Sequence, residues 1–232
     1  MEKLSLLIPV FNEEENIDKL ILDIKKFDVY NLVNEILFVN DGSTDNTLKK
    51  INKLKKNHSK INILNNRINM GQSYSLYIGC KKSKNNIIIT IDGDNQNNPR
   101  DITRLVKEYK NNKELFLVGG IRKVRKDNLI KIYSSKIANL IRKKVLNDDC
   151  NDTGCSLKVF DRKTFLLFPY FNGIHRFLPA LFKGYGKKTK FIEVNHSPRL
   201  YGKSKYGTFK RLLSGIIDMI RVLIIINKVK ND

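Results

Sequence analysis

The 232-residue sequence has no tryptophan, only three cysteines and three histidines, and five prolines. Cys80, Cys150 and Cys155 are odd in number and lack CxxC spacing, which argues against a disulfide framework and against a zinc site. No stretch is rich enough in Pro, Gly or Ser to read as a linker, and no internal repeat or long low-complexity tract is present. The opening "KLSLLIPVF" is too short to hold the charged and apolar parts of a signal peptide, and acidic residues follow at once. It reads as the first strand of a cytoplasmic protein. Two glycine signatures for nucleotides are also missing. "PVFNEEEN" offers no glycine for a dinucleotide fingerprint, and "GKS" at Gly202 has Ser197 where a P-loop needs its first glycine.

What is abundant is positive charge. Forty-four Lys and Arg against 23 Asp and Glu give a formal charge of +21, which predicts attraction to nucleic acid, an anionic membrane or phosphorylated ligands. A chain crowded with Lys, Asn and Ile can also carry such charge as solvated surface. Without Trp, and with nine Tyr that do not interleave with basic residues, nucleic acid is not the expected partner. The length suits one α/β domain with room for a C-terminal appendage, and 41% apolar with 29% charged residues is ordinary for a globular chain.

Short β-branched runs alternate with helical patterns through the first half. Strands are expected at 4–10, 34–40 ("NEILFVN"), 61–65, 85–90 and 114–120, with helices near 44–57, 71–83 and 100–111. Asn12 is expected to cap a helix whose first turn, "EEEN", is acidic. This alternation predicts an α/β fold with a mostly parallel central sheet flanked by helices. Residues 129–145 place Ile130, Ile137, Leu140, Ile141 and Val145 at helical spacing between Lys131, Lys136, Arg142 and Lys143, an amphipathic basic helix. A strand at "CSLKVF", a helix over "HRFLPALFKGYG", a strand at "TKFIEVNH" and a last helix from Thr208 complete the pattern.

"TIDGDNQNNPR" closes the fourth strand with two carboxylates, Asp92 and Asp94. In open α/β sheets ligands bind beyond the carboxyl ends of strands, although Asp-Gly pairs also end strands for turn geometry alone. With no glycine cradle available, a divalent cation on these carboxylates is the simplest way to hold a diphosphate.

Seven segments in register, "SLLIPVFNEEENI", "VNDGSTDNT", "NMGQSYSLYIGC", "TIDGDNQNNPRDI", "DTGCSLKVFDR", "GIHRFLPAL" and "HSPRLYGKSKYG", resemble family 2 glycosyltransferases of the dolichol-phosphate mannose synthase type, including bacterial polyprenyl-phosphate sugar transferases. The resemblance implies a GT-A type nucleotide-diphospho-sugar transferase fold over residues 1–207, with residues 208–232 as an amphipathic or apolar C-terminal helix. It implies that Pro9, Phe11 and Glu13 border the base and ribose of a nucleotide sugar, that Val39 and Asp41 read the base, and that Gly93 belongs to the same binding segment. Asp94 and Gln96 would ligate Mg²⁺ or Mn²⁺, with Asp92 beside the metal and the sugar. Arg122, Ser135, Arg199 and Lys205 would meet the phosphates of donor and acceptor, and Asp152 would lie at the reacting centre, where related enzymes place a base. Many members continue into transmembrane helices, and residues up to Asp232 contain none.

The implied activity is inverting transfer of a UDP- or GDP-linked sugar to a polyprenyl phosphate, an acceptor already anionic near neutral pH, for cell-envelope glycan or glycolipid synthesis. A family member acting on a sugar hydroxyl is the near alternative, but such enzymes usually carry a Q-x-x-R-W motif and this chain has no Trp. A basic protein that binds nucleic acid or an anionic surface is the alternative of another class. The stretch 208–230 holds Asp218 and Arg221 within an apolar run flanked by Lys and Arg. That pattern suits a helix lying on an anionic membrane surface at the cytoplasmic face, or one packed on the domain, better than a span.

Overall fold

The computed structural model describes residues 2–123, 140–198 and 208–231. A seven-stranded sheet in the order β3-β2-β1-β4-β6-β5-β7 runs through the domain. Its strands are β1 (Leu4–Val10), β2 (Glu35–Asp41), β3 (Ile61–Asn66), β4 (Ile87–Thr90), β5 (Leu115–Arg122), β6 (Lys158–Asp161) and β7 (Lys188–Val194). The helices are α1 (Glu14–Lys26), α2 (Val29–Leu32), α3 (Thr47–Asn57), α4 (Gln72–Lys82), α5 (Arg100–Asn111), α6 (Arg162–Leu167), α7 (Leu178–Gly184) and α8 (Thr208–Asn231), with 140–146 also helical.

Strand alternation divides the core into two layers. On one face Leu4, Leu6, Ile8, Ile36, Phe38, Ile87 and Ile89 meet Ile17, Leu20 and Ile24 of α1, Ile51 of α3, and Ile102 and Leu105 of α5. On the other, Leu7, Leu37, Val39, Ile88, Leu117 and Phe160 meet α4, α6 and α7 through Leu76, Phe165, Leu181 and Phe182. Strands covered on both sides have no solvent face to mark with polar residues, which is why β1 and β2 show no regular polar alternation.

Every pairing is parallel except those of β6, which runs antiparallel to both β4 and β5. The Asp161 carboxylate caps α6 by accepting the Thr164 N–H at 2.6 Å. The Arg162 guanidinium donates to the carbonyls of Cys80 and Lys81, which α4 leaves unpaired at its end. Between β1 and β4 the chain order reverses, and the carboxyl ends of these strands flank the crevice where α/β sheets hold ligands.

Several expectations are corrected. Asn12 does not cap α1. It takes φ 52°, and its side chain bonds Thr44 of the β2–α3 turn, leaving Glu13 at the cap position. The "HRFLPALFKGYG" helix splits at Phe177 into a 3₁₀ turn, Ile174–Arg176, and α7, where Pro179 starts a helix without an N–H to spare. Part of the basic amphipathic helix over 129–145 lies outside the described residues, and its described end has the reverse polarity. Leu140, Ile141 and Val145 are exposed, whereas Arg142 is buried because Asp148, Thr153 and the Cys150 carbonyl converge on it.

Helix α8 seats Val222 and Ile226 in the second core layer, and Ile226 lies where a β-carbon on Gly184 of α7 would be. Ile216, Ile217, Ile220 and Ile224 point away from the domain and are exposed. Ile226→Ala should therefore cost about 2–5 kcal/mol of unfolding free energy. Ile224→Ala should stay within about 0.5 kcal/mol. Chemical denaturation of the two variants checks the seating, and equal losses would contradict it.

Candidate active site

The loops after β1 and β2 are tied to one another by side-chain bonds. The Asn12 N–H donates to Ser43 Oγ at 3.0 Å and the Glu13 N–H to Thr47 Oγ1 at 2.8 Å, so the β1 loop is fastened to the turn after β2. Within that turn Gly42 takes φ +69°, and a β-carbon there would lie 2.4 Å from the carbonyl carbon of Ile68. Only glycine satisfies both demands.

Asp41, at the end of β2, is buried and bonded at both oxygens. Its Oδ1 accepts from Asn66 Nδ2 at 2.8 Å and the Met70 N–H at 3.0 Å, and its Oδ2 accepts the Gly71 N–H at 2.8 Å. The carboxylate thus shapes the β3–α4 loop as well as standing at the expected base-reading edge. Val39 turns its side chain into the core, fully buried, so Asp41 is the nearest side chain of β2 to reach that edge. Pro9 and Phe11 are half-buried, and Glu13 is buried with its carboxylate accepting Asn16 Nδ2 at 2.6 Å.

Asp92 and Asp94 stand together at the end of β4. Gln72 Nε2, in the first turn of α4, donates to Asp92 Oδ1 at 2.9 Å, and the Gln96 N–H donates to Asp94 Oδ1 at 3.2 Å. Gly93 presses on β1, since a β-carbon there would lie 2.6 Å from Val10 Cγ1. Burial and the neighbouring Asp94 charge push the Asp92 carboxyl up to about 6, against the pull of Ser156, Lys158 and Arg122. Such a like-charge pair is relieved by a cation. Gln96 donates from its side-chain amide to the Ser197 carbonyl at 3.3 Å, which orients the donor end of the amide toward Ser197 and leaves its oxygen as the atom that could meet a cation. Among the described residues no three His, Cys, Asp or Glu side chains converge as a metal cage. The pair plus an amide fits a Mg²⁺-like cation that keeps part of its shell for water or phosphate.

Arg122, at the end of β5, meets Asp152 through a two-pronged pair. Nε donates to Oδ2 at 2.6 Å and a terminal nitrogen donates to Oδ1 at 2.7 Å, while the Arg122 N–H adds a bond to Oδ2 at 3.2 Å. Gly154 allows this approach, because a β-carbon there would stand 2.8 Å from the guanidinium. Lys158, buried on β6, donates to the carbonyls of Thr153 and Cys155 and so holds the same loop from below.

Asp41, Asp92, Asp94, Gln96, Arg122 and Asp152 thus stand at one edge of the sheet. Ser135, Arg199 and Lys205 lie outside the described residues. Ser197, two residues before Arg199, exchanges backbone and side-chain bonds with Gln96. Sequence reasoning missed Gln72 and Lys158. Both sit inside segments that carried the resemblance, and a lysine within the apolar "CSLKVF" was the available signal.

A family model described as Glycosyl transferase family 2 matches residues 5–167. Dodecaprenyl-phosphate galacturonate synthase of Rhizobium johnstonii is 34% identical over 226 residues, covering 95% of this chain and 66% of that protein. Undecaprenyl-phosphate 4-deoxy-4-formamido-L-arabinose transferase of Proteus mirabilis is 32% identical over 227 residues, covering 96% of this chain and 68% of that one. The chain spans about two thirds of the length of these relatives. Glucosyl-3-phosphoglycerate synthase from Mycobacterium tuberculosis, crystallised with Mg²⁺ and UDP, has a TM-score of 0.71 at 15% identity, covering 96% of this chain and 78% of that one. Its complex with Mn²⁺ and UDP-glucose gives 0.69 at 16%, with 96% and 78% covered. At such identity the likeness carries the fold alone.

The raised Asp92 carboxyl has a measurable sign. The folded protein binds this proton more tightly than the unfolded chain, whose aspartates titrate near about 3.9. The stability this group contributes is fully present below that range and lost as pH rises through about 6. Without divalent cations, Asp92→Asn should therefore gain stability over the parent chain as pH goes from 5 to 7, as measured by urea unfolding in EDTA. A difference that does not change across this interval would contradict the assignment.

Proposed function

The chain belongs to glycosyl transferase family 2, with a GT-A fold, and from that premise we propose that it moves a sugar from a nucleotide-sugar donor to a polyprenyl phosphate, with inversion at the anomeric carbon. The observation that carries the acceptor class is the Arg122–Asp152 pair. The carboxylate expected at the reacting centre accepts from the guanidinium at both oxygens. That is the opposite of a base waiting for a hydroxyl proton, and it presents a fixed cation to a phosphate. Two relatives whose names contain a polyprenyl phosphate support the same acceptor.

In this reading an acceptor phosphate oxygen attacks the anomeric carbon, the bond to the diphosphate breaks, and the electron pair leaves with the nucleoside diphosphate. No proton has to be removed from the nucleophile. Asp41 and the β1 loop hold the nucleoside end, Asp92 faces the sugar, and Arg122 draws the acceptor phosphate toward a site that already holds an anion. Mg²⁺ or Mn²⁺ on Asp94 and Gln96 would supply neutralisation of the diphosphate. The donor in this reading is a UDP- or GDP-linked sugar.

The reading includes a membrane surface. Among the described residues no helix is long and apolar enough to cross a membrane. The exposed isoleucines of α8 and the exposed Leu140, Ile141 and Val145 belong to helices that pack Val222, Ile226 and Leu146 in the same core layer, and Lys228 and Lys230 are exposed at the end of α8. Apolar faces beside cations suit an anionic interface at the cytoplasmic side.

Incubation with Mg²⁺, a short polyprenyl phosphate and a panel of UDP- and GDP-sugars should yield a glycosylated lipid phosphate from one donor. Asp94→Asn should lower kcat at least about a hundredfold while leaving the melting temperature nearly unchanged. Turnover of that variant near the parent rate would remove the metal assignment, and no product from any donor would remove the reading. Sedimentation with vesicles should show binding to anionic lipid that weakens with salt. Equal binding to neutral vesicles, or none to either, would rule out the charged interface.

A further inference from the structure

Segment "GIHRFLPAL" has no part in the site as described so far, and Asp218 is a buried carboxylate in the middle of α8. The structure joins them. Ser73, buried in the first turn of α4, accepts the Gly173 N–H on its Oγ at 2.8 Å and shares a hydrogen with His175 Nδ1 at 2.7 Å. Gly173 takes φ +112°, and the space where its β-carbon would be is filled by Asp218 Oδ2, 2.2 Å from that point. The Asp218 carboxylate is buried on α8 and paired with Arg176 at 3.5 Å and Arg221 at 3.3 Å. The turn Gly173–Arg176 is therefore clasped on one side by α4 and on the other by α8. The turn of α4 that it clasps is the one whose Gly71 N–H holds Asp41 and whose Gln72 holds Asp92.

We infer that Ser73 and His175 are positioning residues for the nucleotide end of the site, and that α8 sets their position through Asp218. A two-ended clasp of this kind fixes where the first turn of α4 stands relative to the sheet. A shift there moves a hydrogen-bond partner of each aspartate at once. The arrangement gives the C-terminal helix a mechanical connection to the donor site through one buried hydroxyl and one imidazole. The inference concerns the α4 turn itself, and only its consequence for nucleotide affinity rests on the proposed function.

The test uses the full chain with His175→Ala, His175→Asn and Asp218→Asn. Hydrogen exchange at the Met70 and Gly71 amides reports the turn directly. UDP and GDP titrated with Mn²⁺ report the consequence. His175→Ala should speed exchange of these two amides at least about tenfold and weaken the bound nucleotide by a similar factor. With an active donor, KM for that donor should rise more than kcat falls. His175→Asn, whose amide oxygen can take the place of Nδ1, should restore both. Asp218→Asn should change both in the same direction and be less than additive with His175→Ala, as coupled residues are. Unchanged exchange at Met70 and Gly71 in His175→Ala would overturn the inference, as would His175→Asn behaving like alanine or full additivity with Asp218→Asn. A parent chain that binds neither nucleotide, but shows the exchange changes, would overturn the functional reading and leave the clasp standing.

Discussion

Two carboxylates of like charge stand two residues apart just beyond the carboxyl end of β4, and the loop that carries them is fastened from several elements at once. Gln72 donates to Asp92, and Asn95 ties the loop back to Asn16 of α1. Asn97 reaches Ser156, whose carbonyl in turn accepts from Thr90. Lys158 of β6 and Arg122 of β5 favour the charged form of Asp92. None of these neighbours comes from the same element as another that bonds it. The loop that carries the pair is held by the convergence of α1, α4, β5 and β6.

The first half of the fold was legible because each buried strand is a short apolar run bounded by polar residues. Ile87–Thr90 and Glu35–Asp41 leave no competing period. The second half was less so. The antiparallel sense of β6 is decided by Lys158 to Asp161 lying between β4 and β5, and nothing local to "CSLKVF" distinguishes the two directions. Arg142 read as a solvated charge because its partners, Asp148 and Thr153, follow it around a turn that helical spacing does not foresee. Asn12 read as a cap because the residue type fits, whereas its left-handed backbone is set by the opposing Ser43–Thr44 turn.

The same division applies to the site. Asp41, Asp92, Asp94 and Gln96 follow strands directly, so their place at the sheet edge could be read from the strand pattern. Ser73 and His175 meet across about a hundred residues of chain, and no spacing rule connects them. The formal charge was informative in a different way. Among the described residues Asp41, Asp94, Asp101, Asp148, Asp152, Asp161, Asp218, Glu13 and Glu35 are buried, against only Arg142 and Lys158. Acid has gone inward and base outward, so the surface is more basic than the composition alone conveys.

The direction of β6 has one more implication. Because it opposes β4 and β5, the chain leaves β5 at Arg122 and enters β6 at Lys158 on the same edge of the sheet, where the Gly120 N–H bonds the Leu157 carbonyl. Both ends of the excursion between them lie at that edge, beside the Arg122–Asp152 pair. Its length can therefore change without altering the register of any strand, and the entropy of closing a longer excursion grows only with the logarithm of its length. Within one unchanged sheet, this connection can take insertions and deletions while the strands on either side keep their spacing.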